Sequence, residues 1–173
     1  MHYKSLLDAI SFATRVHHGQ TRADDSTPYV SHPFRVMTIL SHVFGVTDES
    51  ILITAILHDT IEDTSADYDS IAALFGSDIA QNVAKLTKDM RLPKSLREEK
   101  FLADFDDLDD GIKLCKLGDM LDNLIDTDTI DDKKIVRIVS KAKNILARLQ
   151  PGDEKRPIQE AIKEVQTKLD TMD

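Results

Sequence analysis

Four side chains of metal-binding or acid–base type, His58, Asp59, Glu62 and Asp63, interrupt the otherwise apolar run Ala55-Ile56-Leu57-His58-Asp59-Thr60-Ile61-Glu62-Asp63-Thr64. At helical period His58 and Glu62, and likewise Asp59 and Asp63, fall one turn apart, so a continuous helix turns all four toward one side. The residues just ahead, Ile51, Leu52, Ile53, Ala55, Ile56 and Leu57, read as buried on nearly all sides. Ionisable groups that close to a core are costly unless their charge is compensated, and a divalent cation does so directly. The blander alternative is a core histidine satisfied by Asp59 or Glu62, with the acids forming a solvated face.

Two further segments carry the same kind of chemistry. In the stretch 116–126, Asp119, Asn123 and Asp126 recur at helical spacing among leucines, and Gly118 permits close approach beside Asp119. In Pro28-Tyr29-Val30-Ser31-His32-Pro33-Phe34, His32 immediately precedes a helix expected to open at Pro33. His32, His58, Asp59 and Asp119 together are two imidazoles and two carboxylates, a set suited to Mn²⁺, Mg²⁺, Fe²⁺ or Zn²⁺ with positions left for water. His2, His17, His18 and His42 have no comparable company.

The elements that must position these groups all read at helical period, and no alternating run makes a convincing strand. Residues 4 to 17 put Leu6, Leu7, Ile10, Ala13 and Val16 on one side. The helix opened by Pro33 stops at Gly45, and Thr47 is the expected cap of the central helix. Short helices follow from Tyr68 to Gly76 and from Ser77 through Leu86. Ser95 with Glu98 has capping-box spacing, Asp104 to Asp110 reads as a solvated acidic loop, and Ile112 to Asp126 is helical again. Two amphipathic helices flank a break at Pro151-Gly152. The expectation is one all-α domain over residues 1–173, a bundle of about eight or nine helices.

Composition narrows the function. A net charge of −9 in 173 residues, with no basic stripe, argues against DNA or RNA held through many phosphates. A small anion remains compatible, because a cation and a few Lys and Arg reverse the field locally. The single cysteine, Cys115, excludes an internal disulfide and reads as a buried structural thiol. The N-terminus lacks a signal-peptide apolar core and no apolar run spans a bilayer, so the expected location is cytoplasmic, away from membranes.

The order His, then His-Asp, then a distant Asp resembles the HD-domain metal-dependent phosphohydrolases. Within them the strings His18-Gly19-Gln20-Thr21-Arg22, Pro28-Tyr29-Val30-Ser31-His32-Pro33, His58-Asp59-Thr60-Ile61-Glu62-Asp63-Thr64, Leu86-Thr87-Lys88-Asp89 and Lys116-Leu117-Gly118-Asp119 with Asn123 resemble the stand-alone small alarmone hydrolases and the hydrolase domain of RelA/SpoT-type proteins. The resemblance implies an HD-domain helical fold in which one Mn²⁺ is held by His32, His58, Asp59 and Asp119. It implies that Glu62 and Asp63 handle the attacking water, and that Arg22 and Asn123 contact the nucleotide. The implied reaction removes the 3′-pyrophosphate of (p)ppGpp to give GDP or GTP. Ala23, Asp122 and Ile125 depart from the pattern, which commonly has Lys, an aromatic or His, and Arg there, and Asp24, Asp25 and Asp122 are expected to add negative charge at the nucleotide entrance. An HD phosphohydrolase acting on another nucleotide and a non-catalytic nucleotide-sensing module are the alternatives.

Overall fold

The computed structural model describes residues 4–127, 130–149 and 156–172. Its helices are α1 (Lys4–Val16), α2 (Ser31–Thr38), α3 (Glu49–Leu57), the single turn α4 (Thr60–Asp63), α5 (Tyr68–Phe75), α6 (Ser77–Leu86), α7 (Lys94–Phe105), α8 (Asp110–Ile125), α9 (Asp132–Leu146) and α10 (Arg156–Asp170). A π turn over Ile39–Val43 continues α2. Nine of these helices have eight residues or more, and among the described residues extended pairing is limited to an isolated bridge between Thr21 and Pro28. The all-α expectation holds. The Pro151-Gly152 break lies outside the described residues.

Helix α8 is the axis, packing against α2, α3, α9 and α10. It buries Ile112, Leu114, Leu117, Leu121 and Leu124 and, unusually for charged groups, Asp119 and Asp122. Each fully buried Leu or Ile contributes about 1.5–3 kcal/mol, so this helix is fixed by its apolar majority and can carry two carboxylates inward. Gly118 is where α8 presses onto α2: a Cβ there would run into Leu40 Cδ1 and stand 3.3 Å from Val36 Cγ1. Helix α3 lies between two apolar clusters, giving Ala55 to the one around α8 and Ile53, Ile56 and Leu57 to the one with α1, α5 and α6.

Several boundaries differ from the sequence expectation. Helix α1 packs on α3 and buries Ala9, Phe12 and Ala13, whereas Leu7 is 52% exposed. Asp48, not Thr47, caps α3, its carboxylate accepting from the Ser50 N–H at 2.9 Å. Helix α7 starts at Lys94 behind Pro93 without the Ser95–Glu98 box; Glu98 instead pairs with Lys141 at 2.8 Å. A capping box forms at Asp67 and Ser70. The acidic segment is part helix: Asp104 belongs to α7 and Asp110 to α8, with Asp106 on Arg148 and Asp109 on Lys85. His32 is the second residue of α2, which begins at Ser31 rather than Pro33. Cys115 is buried, and burial pushes its thiol well up, consistent with an inert structural role. No helix among the described residues is long and apolar enough to cross a membrane.

Candidate functional site

The site is built on the end of α3. That helix stops at Leu57, where side chains take over carbonyls left without helical donors: Thr60 Oγ1 donates to Leu57 O at 2.7 Å and His58 Nδ1 to Ala55 O at 2.8 Å. The expected continuous helix is therefore broken at His58-Asp59, yet Asp59 and Asp63 still meet at the Tyr29 hydroxyl, and Asp59, Glu62 and Asp63 line one cavity. His58 and Asp59 turn inward, Glu62 turns to Lys88, and Asp63 turns to Tyr29.

Three elements converge there. His32 Nε2, from α2, lies 3.6 Å from Asp59 Oδ2 and 3.3 Å from Asp119 Oδ1 of α8. The His32 and His58 rings are 5.1 Å apart at 68°. Ligand atoms of His32, His58 and Asp59 all lie within 4.8 Å of one another. Asp119 stands alongside but is engaged elsewhere, accepting from the Asn123 amide at 2.6 Å and from Lys116. Three of the four expected ligands, His32, His58 and Asp59, thus meet, while Asp119 touches His32 and is held by a cation of its own helix.

The donor set fits a divalent cation. His58 Nε2 is buried and makes no hydrogen bond, with Asp59 Oδ2 2.9 Å away. Its Nδ1–H is committed to a backbone carbonyl, which leaves the Nε2 lone pair facing the carboxylates. Without a cation the acids charge the imidazoles instead. Burial pushes His32 down, but hydrogen bonds to Asp119 and Asp122 and the fields of Asp119 and Asp59 outweigh it and hold the ring at about 9. Burial likewise opposes charge on Asp59, yet His58 draws it below the usual carboxylate range, and Lys116 with both histidines does so for Asp119.

Beside this cluster opens a cavity of about 450 Å³, lined in part by the apolar Phe101, Leu102, Met120, Ile138 and Ile145. Lys88 and Lys116 each reach over the Phe101 ring at 5.4 Å. Glu62 accepts from the Lys88 N–H at 3.1 Å and lies 3.5 Å from its Nζ. Asp63 accepts from the Tyr29 hydroxyl at 3.2 Å, and the same hydroxyl donates to Asp59 at 2.6 Å. Burial, then the charges of Asp59 and Glu62, raise the Asp63 carboxyl above its ordinary value, as suits a proton acceptor.

The proposed nucleotide contacts are placed differently from each other. Asn123 lines the cavity. Arg22 does not; its guanidinium is tied to Asp126 at 2.8 Å and to Asn123 at 3.2 Å and stands over the Tyr29 ring. Asp122 is not at any entrance: it is 1% exposed, behind His32, with Arg35 Nε 2.6 Å from its Oδ1. Asp24 spends its charge on its own loop, accepting from the Ser26 and Thr27 N–H groups. Other residues had been given no role by the sequence. Lys116 falls one turn before Asp119, a spacing that points to their contact, whereas Arg35, one turn after His32, reaches Asp122 and Asp126 instead. His17 is buried, bonded through Nδ1 to Gln20 at 2.7 Å and tilted against the Tyr29 ring at 4.9 Å, so it braces the wall that carries Tyr29 and Asp63. The Gln20 partner is local, but the contact with Tyr29 is tertiary and spacing does not reveal it.

Comparison with known proteins agrees with this arrangement. The HD-domain family profile matches residues 9–151. The chain is 42% identical over 122 residues to the guanosine-3′,5′-bis(diphosphate) 3′-pyrophosphohydrolase MESH1 of Homo sapiens, covering 70% of this chain and 68% of that protein. It is 34% identical over 150 residues to a GTP pyrophosphokinase of Myxococcus xanthus, covering 82% of this chain and 19% of that protein. The solved structure of a metazoan ortholog of SpoT that hydrolyzes ppGpp superposes with a TM-score of 0.82 at 31% identity, covering 94% of this chain and 93% of that one. This chain belongs to the HD-domain family and is a homologue of the MESH1 pyrophosphohydrolases and of the RelA/SpoT family.

Proposed function

We propose that this chain is a Mn²⁺-dependent guanosine-3′,5′-bis(diphosphate) 3′-pyrophosphohydrolase, acting in the cytoplasm and converting ppGpp to GDP and pppGpp to GTP. The observation that supports it most is the convergence of His32, His58 and Asp59, with Asp119 against His32, beside a cavity that Glu62 and Asp63 also line. A divalent cation held by those four residues supplies Lewis-acid polarisation of a phosphoryl oxygen and acidifies water. Asp63, with its carboxyl raised, and Glu62 are the acceptors for the proton of the attacking water. Water oxygen adds to phosphorus, the bond from that phosphorus to the ribose O3′ breaks, and the O3′ takes up a proton as pyrophosphate departs. Lys88 and Lys116 face the cavity as counter-charges for the phosphates, and Tyr29 fixes the spacing between Asp59 and Asp63.

One observation favours a second reading, in which the same chemistry acts on a different nucleotide. Arg22, the expected nucleotide contact, is occupied by Asp126 and Asn123, and the neighbouring Ala23 carries no cation. The sensing-module reading is disfavoured by Glu62 and Asp63, since a receptor without turnover has no use for a proton-accepting pair beside its cation. Incubation with ppGpp and Mn²⁺, set against a panel of other nucleotides and followed by ion-exchange analysis, separates the two. We expect GDP and pyrophosphate from ppGpp; cleavage of another nucleotide with no GDP from ppGpp transfers the assignment.

A further inference from the structure

We propose that Asp122 is a positioning residue for the cation-binding face of His32, an inference that rests on the metal-centre reading above. Its carboxylate is 1% exposed and lies on α8, one turn after Asp119. Its Oδ2 accepts from His32 Nδ1 at 2.7 Å. Charge is balanced from the other side by Arg35, whose Nε stands 2.6 Å from Oδ1 without aiming its N–H at it, and by Arg22 at 3.9 Å. Both arginines also reach Asp126, so one arginine-carboxylate network backs the ring.

A buried carboxylate is a poor way to stabilise a fold, because desolvation takes back much of what ion pairing gives, and an apolar side chain of similar volume would serve as well or better. What only a fixed acceptor supplies here is ring orientation. With Nδ1–H held by Asp122, the His32 ring cannot flip, and Nε2 is left toward Asp59 and Asp119. His58 meets the same need with a backbone carbonyl, that of Ala55. Both imidazoles therefore have Nδ1 committed and Nε2 turned to the centre, by two different devices. A carboxylate behind an imidazole also makes Nε2 the stronger donor, and loss of such a partner typically weakens metal binding about ten- to a hundredfold. Asp122 thus replaces, at a position where the resemblance expects an aromatic or His, a side chain that cannot supply that charge.

The test is calorimetric titration of the metal-stripped full chain with Mn²⁺, for wild type, Asp122→Asn and Asp122→Ala, with the melting temperature of each metal-free protein measured alongside. We expect Asp122→Ala to bind Mn²⁺ about ten- to a hundredfold more weakly. Asp122→Asn, near-isosteric and still offering an acceptor oxygen to Nδ1–H, should fall between. If Asp122→Ala does not fold, Asp122→Asn alone decides, by weaker binding at a preserved fold. Binding within twofold of wild type in the folded variants, with only the melting temperature lowered, overturns the inference and leaves the metal centre standing. Absence of Mn²⁺ binding by the wild-type chain overturns both.

Discussion

His32 Nε2 lies 3.3 Å from Asp119 Oδ1, bringing the second residue of α2 against the middle of α8. That separation suits two donors sharing one cation at about 2.0–2.2 Å from each, the usual range for nitrogen and oxygen ligands of small divalent ions. It exists only because Gly118, the residue before Asp119, lets α8 close on Val36 and Leu40.

Gly118→Ala should therefore disturb both fold and site. Overpacking a filled core costs about 1–3 kcal/mol, offset in part by about 1 kcal/mol of helix propensity gained over glycine. We expect a net loss of stability in denaturant unfolding, together with weaker Mn²⁺ binding, since α2 and α8 carry His32 and Asp119. A variant as stable as wild type would show that the α2–α8 contact has slack.

Glu62→Gln and Asp63→Asn should each lower turnover by at least about a hundredfold, the lower range for a positioned acid–base group, while cation content stays near wild type. Both changes are near-isosteric and leave hydrogen bonding to Lys88 and Tyr29 possible. Near-normal kcat in both would remove their role in handling water.

Lys88→Met should act on binding instead. Its ammonium faces the cavity beside Glu62, so losing it should raise KM for a polyphosphate about tenfold, the effect of deleting one charged hydrogen bond, with a smaller change in kcat. Steady-state kinetics that leave KM unchanged would place the phosphates elsewhere.

The helical periodicity, the single apolar α3 and the His-Asp step were legible in the sequence because each is local. The ends of α3 were less so. Whether a helix runs on through His58-Asp59 depends on Thr60 and His58 capturing carbonyls of Leu57 and Ala55, a competition that residue spacing does not reveal. Asp122 was misplaced for a related reason. The resemblance put it at the nucleotide entrance, and spacing could not correct that, because its partners, His32 and Arg35, belong to a helix about ninety residues away. Arg22 was assigned to the ligand by resemblance alone, and its engagement with Asp126 depends on tertiary folding.

The most direct measurement is cation stoichiometry and GDP release from ppGpp on the same preparations of wild type and His58→Ala, purified without chelators. The account predicts one Mn²⁺ per chain and GDP formation for the wild type, with both lost in His58→Ala, because removing this imidazole takes away a ligand whose Nε2 has no other partner. Full occupancy and undiminished GDP release in His58→Ala would contradict it.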